Sequence, residues 1–210
     1  MNFQKLPRKF YLQPTLQVAK QLLNKLLVRK FDNNFLIGKI VETEAYLPDD
    51  SASHSFKGKT ERNSAMFEEG GHLYVYFTYG MHYCCNIVTE RKGRGCAVLL
   101  RGVEPISGID VMKKNRVRKN LEIDIRELTN GPAKICQSFS ISKQENGADL
   151  LGNEIFIAEN LHNKSNVIRN KYAVSPRIGL RSGFGDTKKW RFFLTDNIFV
   201  SKQITRSKNN

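Results

Sequence analysis

The chain has 210 residues, and its 34 Lys and Arg against 20 Asp and Glu give a formal net charge of +14. That length allows one sizeable core without disulfide staples, and no apolar run is long enough to span a bilayer. The charge points to a polyanionic partner, because basic side chains that neutralise phosphates release condensed counterions; nucleic acid leads, an anionic membrane surface comes second, and simple solubility stays open.

The polar, basic start from Met1 to Arg8 lacks a signal-like apolar core. Pro14 opens a helical pattern in which Leu16, Ala19, Leu22, Leu23, Leu26 and Leu27 share a face, up to a break at Asn33-Asn34. Phe35 to Leu47 reads as a strand. Phe35, Ile37, Val41 and Ala45 take its core-facing parity; Ile40, Glu42, Glu44 and Tyr46 take the other. A loop follows from Pro48 to Lys59, and Thr60 is placed to cap a short helix through Met66 and Phe67. Leu73–Thr78 and His82–Thr89 form a predicted hairpin around Tyr79-Gly80. Cys96–Arg101 is a further strand. Helices are expected over Ile109–Asn115, Ile123–Leu128 and from Pro132 to Ser138. Short strands are expected at Glu154–Ala158 and Arg191–Leu194, loops over Asn163–Lys171 and Gly179–Lys189, and a frayed polar tail at Thr205–Asn210. No repeat or linker divides the chain, so the expectation is a single α+β domain spanning residues 1–210.

Four cysteines, Cys84, Cys85, Cys96 and Cys136, include no CxxC pair, and no histidine is spaced to complete a zinc site. They read as reduced interior residues of a cytoplasmic protein. No metal or cofactor is expected.

Candidate chemistry concentrates in Ile40-Val-Glu-Thr-Glu-Ala-Tyr46. A carboxylate beside an aromatic on one strand face can hold a planar substrate and activate a nearby water; a solvated strand face is the commoner meaning of such a pattern. Tyr74, Tyr76, Tyr79 and Tyr83 cluster around the hairpin, where aromatics among basic residues favour base stacking, although tyrosine is also an ordinary strand former. Asn86 interrupts an apolar strand and needs hydrogen-bond partners if buried. Arg101 ends a strand of buried type, where it serves a salt bridge or a phosphate contact.

Together these stretches resemble the alkyladenine (3-methyladenine) DNA glycosylase family. The resemblance rests on Gly38-Lys-Ile-Val-Glu-Thr-Glu-Ala-Tyr46, His54, Arg62-Asn63, Met66-Phe67, Leu73-Tyr-Val-Tyr-Phe-Thr-Tyr-Gly-Met81, Cys85-Asn86-Ile87, Val98-Leu-Leu-Arg101, Glu104-Pro105 and Gly131-Pro-Ala-Lys134, in that order. It implies a curved, largely antiparallel sheet with flanking helices and a protruding β-hairpin. It also implies a monofunctional enzyme that flips alkylated or deaminated purines out of double-stranded DNA and hydrolyses the N-glycosidic bond, leaving an abasic site. Glu44 is then the general base. Tyr46, His54 and Tyr76 wall the base pocket, and Asn86 gates against the guanine amine. Tyr79 is the wedge that fills the vacated stack, Met81 lies with it at the DNA-binding hairpin, and Arg101 sits near the flipped nucleotide. Glu42 receives no role.

Extrusion costs a few kcal/mol, least for damaged pairs, and a cationic alkylpurine stacks well between electron-rich rings. Two basic clusters remain, Lys113, Lys114, Arg116, Arg118 and Lys119, then Arg177, Arg181, Lys188, Lys189 and Arg191. They, with general contact from Gly179–Trp190, are expected to position duplex DNA without reading sequence. The protein is expected to act as a monomer, at the nucleoid in a bacterium or in the nucleus of a eukaryote, and not at a membrane. A non-catalytic nucleic-acid-binding module, which would not need Glu44, is the rival from another class.

Overall fold

The computed structural model describes residues 3–78, 80–116, 123–161 and 171–201. Tyr79, Arg118, Lys119, nearly all of the loop expected over 163–171 and the tail at 205–210 lie outside the described residues. The elements are α1 (Arg8–Tyr11), α2 (Thr15–Gln21), β1 (Leu26–Phe31), β2 (Asn34–Tyr46), a 3-10 turn (Ser64–Phe67), β3 (Leu73–Thr78) and β4 (His82–Thr89). There follow β5 (Cys96–Ser107), α3 (Ile109–Arg116), α4 (Ile125–Leu128), α5 (Pro132–Ser138), a second 3-10 turn (Lys143–Glu145), β6 (Ile155–Ala158), β7 (Tyr172–Ser175) and β8 (Arg191–Leu194).

The strands form one antiparallel sheet in the order β3-β4-β5-β2-β1-β6, with β8 paired to β2 and β7 to β8. Strand β2, with 13 residues, serves two neighbours on one edge, β1 over Asn34–Lys39 and β8 over Glu42–Glu44. On its other edge it pairs with β5. The sheet therefore forks and curls into a half-barrel with flanking helices, the α+β architecture expected. The β3–β4 hairpin forms one sheet edge, and Phe77 and Met81 are exposed at its end.

Helix α2 packs on β2, and α5 packs on β4 and β5. Val18, Ala19, Leu22, Ile40, Val41, Leu100, Val103, Ile135 and Phe139 are fully buried between them, each of the larger ones stabilising the fold by about 1.5–3 kcal/mol. The Thr43 hydroxyl donates to the Ala19 carbonyl at 2.8 Å and ties α2 to the middle of β2. All four cysteines are buried and free. Among the described residues no helix is long and apolar enough to cross a membrane.

Three local expectations change. The predicted first helix stops at Gln21, and Leu26 and Leu27 belong to β1. Asn24 takes a left-handed φ of 69°, which a short polar side chain tolerates, and β1 then gains ladder partners on both sides, β2 and β6. The parity assigned to β2 holds only in part. Phe35 and Ile37 face a small cluster with Leu26, Val28 and Phe156, whereas Ile40, Val41 and Ala45 all enter the main core. A bulge between Ile40 and Glu42 flips the strand. Thr60 caps no helix; its N–H donates to Asn63 Oδ1 at 2.6 Å and its hydroxyl oxygen accepts from the Asn63 N–H at 3.4 Å. Strand β7 has no counterpart among the predicted elements, because Tyr172–Ser175 is short and mostly exposed.

Candidate active site

Two compensating bulges aim the acidic face of β2. Ile40 lies opposite Val103 and Glu42 opposite Gly102, so Val41 is an extra residue on β2. Thr43 then lies opposite Leu100, so Arg101 is the extra residue on β5. Paired bulges restore the register while turning Glu42, Glu44 and Arg101 towards one another. Gly102 permits the approach: a Cβ there would lie 2.8 Å from the Phe199 carbonyl oxygen and 3.0 Å from Glu42 Cβ.

The two glutamates are both fully buried but differently partnered. Glu42 accepts from Arg191 Nε at 2.6 Å, from the Ser201 N–H at 2.7 Å and from Ser201 Oγ at 2.9 Å, with Arg101 Nε at 3.2 Å. Glu44 accepts from the Ile178 N–H at 2.8 Å on Oε1 and from the Tyr46 hydroxyl at 2.9 Å on Oε2. Arg101 Nε lies 3.4 Å from Glu44 Oε1. Burial pushes the Glu44 carboxyl above the usual carboxylate range; Arg101, the Ile178 N–H and the Tyr46 hydroxyl pull against it, and Glu42 adds a smaller upward push. Burial and the neighbouring Glu44 charge raise the Tyr46 phenol well above its ordinary value.

A cavity of about 380 Å³ opens beside this network, in the size range of small-molecule sites. Tyr46, His54, Tyr76, Asn86 and Arg101 all line it, so five of the expected site residues converge there. Glu44 does not line it, but its three partners Arg101, Tyr46 and Ile178 do. Glu42 does not line it either, and of its partners Arg191, Ser201 and Arg101 only Arg101 does. Met81 is exposed at the hairpin end and also lies off the wall, whereas Thr78, paired with His82 at the same end, is on it.

The aromatic walls are fixed from behind. His54 shares a 2.9 Å hydrogen bond between Nδ1 and the Tyr74 hydroxyl, and its ring meets Tyr76 edge-on with centroids 4.5 Å apart. The Asn63 amide donates to the carbonyls of His54 and Gly58 at 2.8 and 3.0 Å, which fixes the loop that carries His54. Burial and Arg62 lower the His54 pKa, so the ring is neutral near neutral pH. Burial raises the Tyr76 phenol, the Tyr74 phenol to about 12 and the Cys84 thiol to about 11. Asn86 is buried and donates from Nδ2 to the Tyr74 carbonyl at 3.1 Å.

Two of the five cations in the second basic cluster are turned away from solvent. Arg177 and Arg191 are buried, the first against Asp50 and the second against Glu42. A cation paired with a buried carboxylate is not available to phosphate. Arg181 and Lys189 remain exposed, and Lys188 lies 3.7 Å from Asp50. Sequence reasoning also missed Ile178, Asp50, Ser201 and Cys84 as parts of the site. The first three come from distant loops and act through a backbone N–H or a buried pair, neither of which leaves a periodic signal. Among the described residues no group of three or more His, Cys, Asp or Glu is placed to hold a metal ion.

Comparison with known proteins identifies the family. A family model described as Methylpurine-DNA glycosylase (MPG) matches residues 9–198. A protein of Carboxydothermus hydrogenoformans is 48% identical, with 94% of this chain and 99% of the relative covered. One from Francisella tularensis is 44% identical (90% and 94% covered), and one from Alkaliphilus oremlandii is 42% identical (95% and 100% covered). All three carry the name "Putative 3-methyladenine DNA glycosylase". The match runs through every strand that builds the cavity, and the chain belongs to the methylpurine-DNA glycosylase family, hydrolases that act on N-glycosyl bonds.

Proposed function

We propose that the protein flips alkylated or deaminated purines out of double-stranded DNA and hydrolyses the N-glycosidic bond, with Glu44 as general base. The observation that carries this reading is a buried carboxylate whose three partners, Arg101, Tyr46 and Ile178, all reach the wall of an aromatic cavity. A carboxylate has about four lone-pair sites. Hydrogen bonds from the Ile178 N–H and the Tyr46 hydroxyl take two of them, Arg101 adds an ion pair, and we assign one of the remaining sites to the attacking water. That water attacks C1′ of the nucleotide and gives a proton to Glu44. The C1′–N bond breaks, its electron pair goes to the purine, and the sugar keeps the new hydroxyl as an abasic site. A purine alkylated at N3 or N7 departs as a neutral base, so its own positive charge assists the step; a neutral deaminated purine departs as an anion that takes its proton from solvent.

Tyr46, His54 and Tyr76 hold the flipped base between ring faces, and Asn86 opposes the exocyclic amine of guanine. Arg101 sits beside the flipped nucleotide and offsets part of the cost of keeping Glu44 ionised. Tyr79, between β3 and β4, and Met81 enter the minor groove and fill the gap, as apolar wedges do. Action as a monomer is part of the same proposal.

The test is incubation with duplexes carrying a single 7-methylguanine, ethenoadenine or hypoxanthine, then alkali to break abasic sites. Glu44→Gln should lower excision by roughly 10²–10⁴-fold and leave lesion binding intact. Full activity in that variant rejects Glu44 as the base, and no excision of any lesion by the native protein rejects the enzyme reading.

A further inference from the structure

We infer that Arg177, clamped by Asp50, is a positioning residue for excision, because residues 177–178 tie down three consecutive positions of the catalytic strand. The Ile178 N–H holds Glu44 at 2.8 Å, Arg177 Nη1 donates to the Ala45 carbonyl at 2.9 Å, and the Arg177 guanidinium lies 4.6 Å from the centroid of the Tyr46 ring. The inference rests on the reading of Glu44 as the base.

The guanidinium has one available orientation. Its Nη1 also donates to Asp50 Oδ2, its Nη2 donates to the Gly185 carbonyl at 3.0 Å, and the Trp190 ring centroid lies 5.2 Å from it. Gly185 closes directly over the pair: its φ is 67°, and a Cβ there would lie 2.3 Å from Asp50 Oδ1 and 2.8 Å from Arg177 Nη2. Both charged side chains are fully buried. A buried ion pair at best offsets its own desolvation, and apolar residues of equal volume often serve stability better. What the pair supplies is a planar, forked cation that stacks on the back of a pocket wall and fixes the next N–H.

Arg177 acts on two groups of the site. The ring of Tyr46 stays in place for the substrate, and the Ile178 N–H stays on the ionised form of Glu44. The other groups that face Glu44 are Arg101 from β5, Glu42 and Tyr46 from β2, and Tyr76 from β3, with Arg191 of β8 engaged by Glu42. Arg177 does not touch Glu44, so its influence on the base passes through Ile178 and Tyr46.

Arg177→Lys tests this, since it keeps a positive charge for Asp50 but removes the fork and the stack. Single-turnover excision of ethenoadenine should fall by about 100-fold, the scale of a displacement near 1 Å, while affinity for the lesion duplex changes far less. The acid limb of the rate–pH profile should move up by roughly one pH unit, as a hydrogen bond to the ionised carboxylate disappears. A purely structural Arg177 would lower the melting temperature and leave the rate and the acid limb in place, and that result overturns the inference. If Arg177→Lys does not fold, Asp50→Asn, which retains an acceptor for Arg177, decides by the same two readouts, with a smaller loss expected. Glu44→Gln run alongside separates the two claims: an active Glu44→Gln removes the base, whereas an inactive one with unmoved Arg177 and Asp50 variants removes only the positioning role.

Discussion

A fully buried carboxylate must be held by partners or give up its charge, and Glu44 is held by Arg101, the Ile178 N–H and the Tyr46 hydroxyl. Burial outweighs them, so its folded-state pKa is raised. The native state then binds the Glu44 proton more tightly than the unfolded chain does. Its contribution to stability is present in acid and is lost as pH rises through that raised value. Glu44→Gln removes this titration. Denaturant unfolding at a series of pH values should therefore show the variant gaining on the native protein as pH climbs through the carboxylate range, and a pH-independent difference would refute a raised Glu44. Excision should follow the opposite course and fall as pH drops through the same value, because only the ionised form accepts the proton. Neither Glu42 nor Glu44 is distinguished by residue type; the difference lies in Glu42 being held by Arg191 and Ser201, which do not line the cavity.

At the level of elements the decisive features are the bulges at Val41 and Arg101. Gly102→Ala tests their tight approach. The added methyl must displace Glu42 or the Phe199 backbone, and overpacking of this kind costs about 1–3 kcal/mol. The urea midpoint should fall accordingly, with slower excision because Arg101 moves with its strand; an unchanged midpoint and rate would show that the approach can relax. Most elements are legible in the sequence. The hairpin, β2, the 3-10 turn near Met66 and α5 carry strong alternation, Gly or Pro signals. The first helix is overextended in the sequence because leucines at 22, 23, 26 and 27 satisfy a helical face, while strand pairing with β2 and β6 decides the last two. Bulges leave no such mark, since they depend on what the partner strand does.

Across the whole molecule the +14 charge is less available than it looks. Arg177 and Arg191 are spent on buried carboxylates, and Arg101 faces both glutamates. The exposed remainder, Lys114, Arg181 and Lys189 among them, is what can meet phosphate. Affinity for undamaged duplex should fall linearly with salt on a double-logarithmic plot. Neutralising Lys114 or Lys189 should flatten the slope by about one for each phosphate left without its cation. A flat salt response in the native protein would contradict a phosphate-led interface.

The sequence by itself determined the strand that carries Glu44 and Tyr46, the hairpin, the reduced cysteines and, through an ordered set of motifs, the family. Local alternation and turn chemistry encode those features within a few residues. Only the tertiary structure decided that the partners of Glu44 reach the cavity wall while those of Glu42, Arg101 apart, do not, that Arg101 lies between the two glutamates, and that Arg177 supports Tyr46 from behind. These depend on contacts between segments more than 50 residues apart, where burial and a partner strand's register, rather than residue type, fix what a side chain can do.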